Sequence, residues 1–125
     1  SNIGILAVDL TTGARTVLSD EETPDATNEL GTVNAITVDR ENNRALVVDS
    51  NLRAVLAVDL TTGARTILSD NTAPNDKNIL FHPAGLAMDT INNRLLVLDS
   101  RVEAVIAVDL ESGQRVTLSG VLLED

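Results

Sequence analysis

The chain has 125 residues, a net charge of −10, no cysteine, and a single aromatic residue, Phe81. The absence of cysteine excludes disulfides and thiolate metal sites. Nucleic acids and anionic membranes are bound chiefly through Lys and Arg, so the acidic balance argues against both as partners. The 43% of hydrophobic residues is enough for the core of about one domain.

One stretch of sequence occurs three times. It reads VLAVDLTTGARTILSD at residues 55–70, is almost unchanged at 5–20, and is more diverged at 106–120. The copies are 50 residues apart, as shown by the valines of the shared AVDL motif, which are Val8, Val58 and Val108. A constant period of this length indicates a repeat architecture.

Short apolar runs separated by polar turns predict an all-β chain. The polar segments 20–32 and 71–82 are rich in turn-forming residues and are expected to be loops. The repeat unit is then four strands joined by tight antiparallel turns. Strands are expected at 4–10, 14–19, 33–39, 44–50, 55–60, 64–69, 84–89, 94–99, 105–110 and 114–119.

The hairpin within each copy predicts a specific turn and register. A three-residue loop that ends in Gly13 or Gly63 needs glycine because its last residue has positive φ. With such a loop, an aspartate of one strand lies opposite an arginine of the next. The predicted ion pairs are Asp9 with Arg15, Asp59 with Arg65, and Asp109 with Arg115.

Several strands are apolar on both faces, such as AVLAVDL at 54–60 and RLLVLDS at 94–100. This is typical of sheets covered on both sides by other sheets, as are the four-stranded blades of a β-propeller. A sandwich or meander sheet, which leaves one face polar, is the second choice. The predicted fold is about two and a half antiparallel propeller blades, with a half blade at 4–20 and blades at 33–70 and 84–120.

The motifs PAGLAMD (83–89), NNRLLVLDS (92–100) and AVIAVD (104–109) support this fold. Together they resemble the NHL-repeat propellers and their relatives of the gluconolactonase and strictosidine-synthase type. The resemblance recurs once per repeat, although TVNA at 32–35 departs from the HPAG of 82–85. It implies propeller blades. The metal site of the lactonases uses Glu, Asn and Asp from several blades, and none of these residues is carried over.

Two and a half blades leave sheet faces and an edge uncovered. The chain is therefore expected either to be part of a longer propeller or to close a ring by oligomerisation. The unpaired hairpin at 4–19 and the aliphatic outer faces predict a homo-oligomer, most simply a twofold dimer.

Three residues are weak candidates for metal ligands. Asp39 and Asp89 end the first strand of each blade, so that in a ring they would form a carboxylate collar able to hold Ca²⁺ or another divalent cation. The alternative, which we favour, is that such aspartates accept hydrogen bonds from the following turn. His82 is the only imidazole, and zinc sites need three or four ligands, so we expect it to cap a loop beside Pro83.

No catalytic or cofactor-binding residue is predicted, because no serine has a neighbouring histidine and no G-x-S-x-G motif occurs. The expected function is a non-enzymatic binding or protein-interaction scaffold, as part of a larger extracellular or environmental bacterial protein. The alternative is a fragment of a metal-dependent lactonase or hydrolase of the six-bladed propeller type. A lectin is a third option, weakened by the scarcity of aromatic rings.

Overall fold

A computed structural model describes residues 4–120 of the chain. No helix that could cross a bilayer occurs in this range. All ten predicted strands are confirmed, with ends within two residues of the prediction. The strands are β1 (Ile5–Val8), β2 (Arg15–Ser19), β3 (Val33–Asp39), β4 (Arg44–Asp49), β5 (Ala54–Asp59), β6 (Arg65–Ser69), β7 (Pro83–Asp89), β8 (Arg94–Asp99), β9 (Ala104–Asp109) and β10 (Arg115–Ser119).

The strands form three antiparallel meander sheets. The first sheet is the hairpin β1–β2, the second is β3–β6, and the third is β7–β10, each with its strands in chain order. The second and third sheets contact each other through β7, which lies against β3 and β4. Within residues 4–120, the two strands of the first sheet correspond to the third and fourth strands of the later repeats.

Each hairpin turn has four residues, one more than predicted. In the first copy they are residues 10–13, between Asp9 and Ala14. Asp9 N–H donates to the Ala14 carbonyl at 2.8 Å, and Gly13 N–H donates to the Asp9 carbonyl at 2.8 Å. The Asp9 carboxylate accepts the N–H groups of Thr11 and Thr12, each at 2.8 Å, which draws Leu10 into the turn. The same hydrogen bonds recur after Asp59 and Asp109.

This turn makes the three predicted ion pairs wrong. The arginines lie opposite valines instead of aspartates, in the pairs Val8 with Arg15, Val58 with Arg65, and Val108 with Arg115. A shift of one residue reverses the face on which a side chain lies. The aspartates therefore accept hydrogen bonds from turn amides, and the arginines lie on the apolar face of their sheet.

Two layers of apolar side chains hold the sheets together. The layer between the second and third sheets includes Leu46, Val48, Val55, Leu95, Val97, Ile106 and Val108. The layer between the first and second sheets includes Ile5, Leu30, Val47, Leu56 and Val58. Successive residues of β4 and β5 enter opposite layers, so the prediction of strands apolar on both faces is confirmed. Each such fully buried side chain contributes about 1.5–3 kcal/mol.

The two ends of the stack and one side of β3 remain uncovered within residues 4–120. Leu6, Val8 and Leu10 are exposed on the first sheet, and Leu98 and Leu118 are half exposed on the third. Ile36 and Val38 are half exposed because the first sheet lacks the strands that would cover them. Their counterparts in the next repeat, Leu86 and Met88, pack against the second sheet.

The turn glycines have the positive φ that the sequence predicts. The values are 77° for Gly13, 78° for Gly63 and 76° for Gly113. Their surroundings differ, because a Cβ on Gly63 would lie 1.9 Å from the Leu18 carbonyl oxygen, whereas no atom lies within 4 Å of a Cβ on Gly13. Gly63 is thus required both by its φ and by the approach of the first sheet.

This difference predicts unequal costs for the same substitution. Gly13→Ala should reduce the free energy of unfolding by about 1 kcal/mol, the cost of left-handed backbone for a residue with a Cβ. Gly63→Ala adds a clash with backbone and should cost about 1–3 kcal/mol more. Urea unfolding measures both variants. Equal losses would show that the first sheet does not approach Gly63.

Candidate functional site

The candidate carboxylates Asp39 and Asp89 are already engaged by their own repeat. Asp39 Oδ2 accepts hydrogen bonds from Arg44 Nε at 2.8 Å and Asn42 Nδ2 at 2.9 Å. Asp89 Oδ2 receives the same two bonds, from Arg94 at 2.8 Å and Asn92 at 2.9 Å. Each aspartate thus closes the turn that follows it, although its donors are mainly side chains rather than the backbone amides expected.

These contacts keep both carboxyl groups ionised. Burial raises the pKa of Asp39, but the hydrogen bonds from Asn42 and Arg44 outweigh it and leave that pKa below its ordinary value. The pKa of Asp89 is lowered by the hydrogen bond from Asn92 and then by that from Arg94. Both carboxylates therefore have a cationic partner, which weakens the case for a collar that holds a divalent cation.

His82 is exposed, and its imidazole has no hydrogen bond within the described residues. Its backbone anchors the loop instead, since its N–H donates to Asp99 Oδ1 at 3.1 Å and its carbonyl accepts from Ser100 N–H at 3.1 Å. Residues 4–120 contain no group of three or more His, Cys, Asp or Glu side chains placed to hold a metal ion. A metal role for His82, Asp39 or Asp89 stays an untested prediction.

The Arg65 side chain makes six hydrogen bonds. It is buried at the start of β6, where its face of the sheet meets the loop that follows β2. Its guanidinium donates to one hydroxyl and a set of backbone carbonyls of that loop. The acceptors are Ser19 Oγ (2.6 Å) and the carbonyl oxygens of Asp20 (2.7 Å), Thr23 (3.2 Å), Asp25 (2.9 Å), Thr27 (2.9 Å) and Asn28 (2.8 Å).

Arg115 makes the same connections one repeat later. It is buried at the start of β10 and donates into the loop that follows β6. Burial lowers the pKa of Arg115, and the Asp70 carboxylate partly opposes this change. Its acceptors are Ser69 Oγ (2.7 Å) and the carbonyl oxygens of Asp70, Ala73 (3.4 Å), Asn75 (3.0 Å), Lys77 (2.7 Å) and Asn78 (2.8 Å).

Arg15 is the counterpart of these two arginines, but it is exposed. Leu10, at the adjacent turn, is fully exposed, whereas its counterpart Leu110 is only 5% exposed. No repeat within residues 4–120 precedes the first sheet, so nothing there offers a loop to Arg15. The first sheet thus displays the residues of a repeat contact without the other half of that contact.

No protein-family model matches the chain, and no curated protein sequence matches it either. Among solved structures, it is similar to a chain of a nidogen/laminin complex, with a TM-score of 0.70 and 18% identity over 94% of this chain. That neighbour is a β-propeller. The chain is built of β-propeller blades. The likeness extends to the fold and does not distinguish NHL repeats from other propeller repeats.

A second similar structure is a complex of a variant of S. cerevisiae Dbp5 bound to Nup159, a variant of Gle1, IP6 and ADP. Its TM-score is 0.50, with 20% identity over 74% of this chain. The present chain spans 40% of the nidogen/laminin chain and 21% of the second chain. Both likenesses are therefore to parts of longer proteins.

Sequence reasoning missed the role of Arg65 and Arg115. A signal was present, because every copy of the repeat has an arginine at the start of its last strand and a serine at its end. Ser19 lies 46 residues before Arg65, as Ser69 does before Arg115. The pairing of one repeat's serine with the next repeat's arginine depends on how the sheets stack, which the local pattern does not reveal.

Replacing the buried arginine should cost far more than replacing its exposed counterpart. Arg65→Met leaves several partly buried carbonyls without a donor, each worth about 1–3 kcal/mol. Arg15→Met removes an exposed side chain and should change the free energy of unfolding by no more than about 0.5 kcal/mol. Urea unfolding at low protein concentration, where association is negligible, measures both. A small loss for Arg65→Met contradicts the assigned bonds.

The lowered pKa values predict an acid-labile fold. Asp39 and Asp89 have folded-state pKa values below the ordinary 3.8, so their contribution to stability is present above pH 3.8 and is lost as the pH falls through the folded values. The free energy of unfolding, measured in urea at pH 6 and pH 3, should be lower at pH 3. Asp39→Asn should reduce this difference, and a chain that gains stability on acidification would refute the sign.

Proposed function

We propose that the chain is a non-enzymatic set of NHL-type propeller blades that acts as a protein-interaction scaffold and assembles with further copies of itself. The motifs at 83–89 and 92–100 support the repeat type. The blade fold supports a scaffold role, because each sheet of residues 4–120 packs against another sheet. The similar chain occurs in a nidogen/laminin complex.

The observation that carries this proposal is the exposed contact surface on the first sheet, formed by Leu6, Val8, Leu10 and Arg15. In the second and third sheets the equivalent residues are buried against the preceding repeat, as Val58 and Val108 show. Leu6, Val8 and Leu10 expose about half or all of their side chains. A surface that the chain buries twice internally is a surface suited to burial against another copy.

The opposite end of the chain offers a matching surface. Leu98 and Leu118 of the third sheet are half exposed, and their counterparts Val48 and Leu68 pack against the third sheet from the second. Ser119 is the counterpart of Ser69, whose hydroxyl accepts from Arg115. A second copy is thus able to present to Arg15 the same kind of face that the second sheet presents to Arg115.

The two complementary surfaces are different, which decides the type of assembly. A contact that joins unlike ends is heterologous and produces a ring or an open filament, whereas a twofold dimer pairs like with like. The net charge of −10 opposes association, but its reach is only about 8 Å at physiological salt. The described surfaces therefore favour head-to-tail assembly over the twofold dimer that the sequence suggested.

Sedimentation equilibrium at micromolar concentration tests this assembly. The unmodified chain should have a mass above that of the 13.2 kDa monomer. Leu10→Asp combined with Arg15→Ala should return the mass to that of a monomer, because both side chains are exposed in the single chain and are needed only at the contact.

The matched control is Thr66→Asp, since Thr66 is exposed on β6 of the second sheet, which lies between the first and third sheets. It should leave the mass of the assembly unchanged. A monomeric unmodified chain, or an assembly that persists in the Leu10 and Arg15 variant, would refute the proposed contact.

A further inference from the structure

The only aromatic side chain, Phe81, lies near two arginines. The guanidinium carbon of Arg53 is 5.9 Å from the centroid of the Phe81 ring, and that of Arg101 is 6.0 Å from it. Arg53 belongs to the turn between β4 and β5, and Arg101 to the turn between β8 and β9. The cluster therefore spans the junction between the second and third sheets, and each contact is within the range of a cation–π interaction.

One buried carboxylate fixes the backbone beneath this cluster. Asp99 is fully buried and accepts the N–H groups of Phe81 at 2.7 Å, His82 at 3.1 Å and Arg101 at 3.1 Å. The end of the loop and the start of the turn are thereby tied to the same group. Phe81 and Arg101 thus project from a backbone whose arrangement does not depend on either side chain.

The equivalent junction of the first and second sheets has the same backbone without the cluster. Asp49 accepts the N–H groups of Thr32 at 2.9 Å and Asn51 at 3.0 Å. Gly31 stands where the next repeat has Phe81, and a Cβ there would lie 2.9 Å from the Asn51 side chain. The backbone is common to both junctions, so the aromatic ring and its arginines are additions that the fold does not require.

The two arginines have no acidic partner of their own. Of the nine basic residues, Arg44 and Arg94 are ion-paired and Arg65 and Arg115 are buried in loops. Arg53 and Arg101 are exposed and form no ion pair within residues 4–120, although the chain has 19 acidic residues. Two like charges held near one ring repel each other, and an anion bound by both guanidiniums relieves that repulsion.

We propose that Arg53, Arg101 and Phe81 form a binding site for a carboxylate. A guanidinium matches a carboxylate with two parallel hydrogen bonds, and its cation–π contact with the ring reduces the freedom lost on binding. The ligand is a carboxylate presented either by an acidic peptide segment or by a small organic acid. The site is separate from the surfaces proposed for assembly, and it stands whether or not the chain associates.

The test is a titration followed by ¹H–¹⁵N NMR spectroscopy of the whole chain. The probes are a polyglutamate peptide and glutarate, with sodium chloride at matched ionic strength as the control for screening. Saturable shifts should appear at the amides of Phe81, His82, Arg101 and Arg53 with either carboxylate and not with chloride. Binding by both probes identifies small acids as sufficient, and binding by the peptide alone identifies an acidic segment as the ligand.

The variant that tests the site replaces each arginine with the residue found at the equivalent position of the other repeat. Arg53→Glu and Arg101→Asn install the residues of the equivalent positions, Glu103 and Asn51, which the same turns accommodate. The double variant should bind at least about tenfold more weakly, because it loses both charge-assisted contacts. Arg40→Thr, which copies Thr90 at another exposed position, should bind like the unmodified chain.

Two results would overturn the proposal. One is the absence of saturable shifts at these amides with both carboxylates. The other is equal binding by the double variant and the Arg40→Thr control, which would show that the shifts arise from unspecific attraction to exposed arginines. The spectra also show whether each variant keeps its fold, so a loss of binding is not confused with unfolding.

Discussion

The contact on which the described structure depends is the buried guanidinium of each later repeat inside the loop of the repeat before it. Arg65 and Arg115 supply the donors for a long loop that has little regular structure of its own. Buried carbonyls without donors are costly, so such a loop would otherwise have to face water. The arginine therefore lets a loop be compact and at the same time ties two sheets that share no strand. No buried side-chain nitrogen or oxygen within residues 4–120 lacks a hydrogen-bond partner.

This arrangement explains which parts of the repeat vary. Nearly all the loop atoms that accept hydrogen bonds from Arg65 and Arg115 are backbone carbonyl oxygens, which every residue has. Most loop side chains are therefore free to change, and the five acidic residues of 20–32 become two acids and a lysine at 70–82. The residues that supply side-chain atoms to the contact, namely the serine before each loop, the asparagine within it and the arginine after it, do not change. Sequence identity between repeats thus follows the chemistry of the contact and not its position in the fold.

The strands and turns could be predicted because they rest on local patterns. Apolar runs of strand length, and glycines such as Gly13 and Gly63 where φ must be positive, are visible in any single repeat. The register of the hairpin was wrong because the Asp9 carboxylate competes for turn amides, which lengthens the turn by one residue. The roles of Arg65 and Asp99 were beyond local reasoning, since their partners lie 45 and 18 residues away. The placement of Phe81 near both Arg53 and Arg101 likewise depends on how two sheets stack.

Because the same unit occurs more than once in this chain, its copies can be compared to separate residues that hold the repeats together from residues that differ between them. The serine and arginine that tie one repeat to the next are the same in each copy, whereas residues 81 and 101 differ from their counterparts at 31 and 51. Phe81 and Arg101 replace Gly31 and Asn51 at equivalent places, yet the bonds to the buried aspartate below them are retained. These differences therefore leave the hydrogen bonds to the buried aspartate intact. The exposed Arg53 and Arg101 have no acidic partner within residues 4–120. In a chain with a net charge of −10, such a cluster is electrostatically distinct from its surroundings. Divergence on a retained backbone, combined with unpaired like charge, distinguishes the proposed carboxylate site from ordinary surface variation.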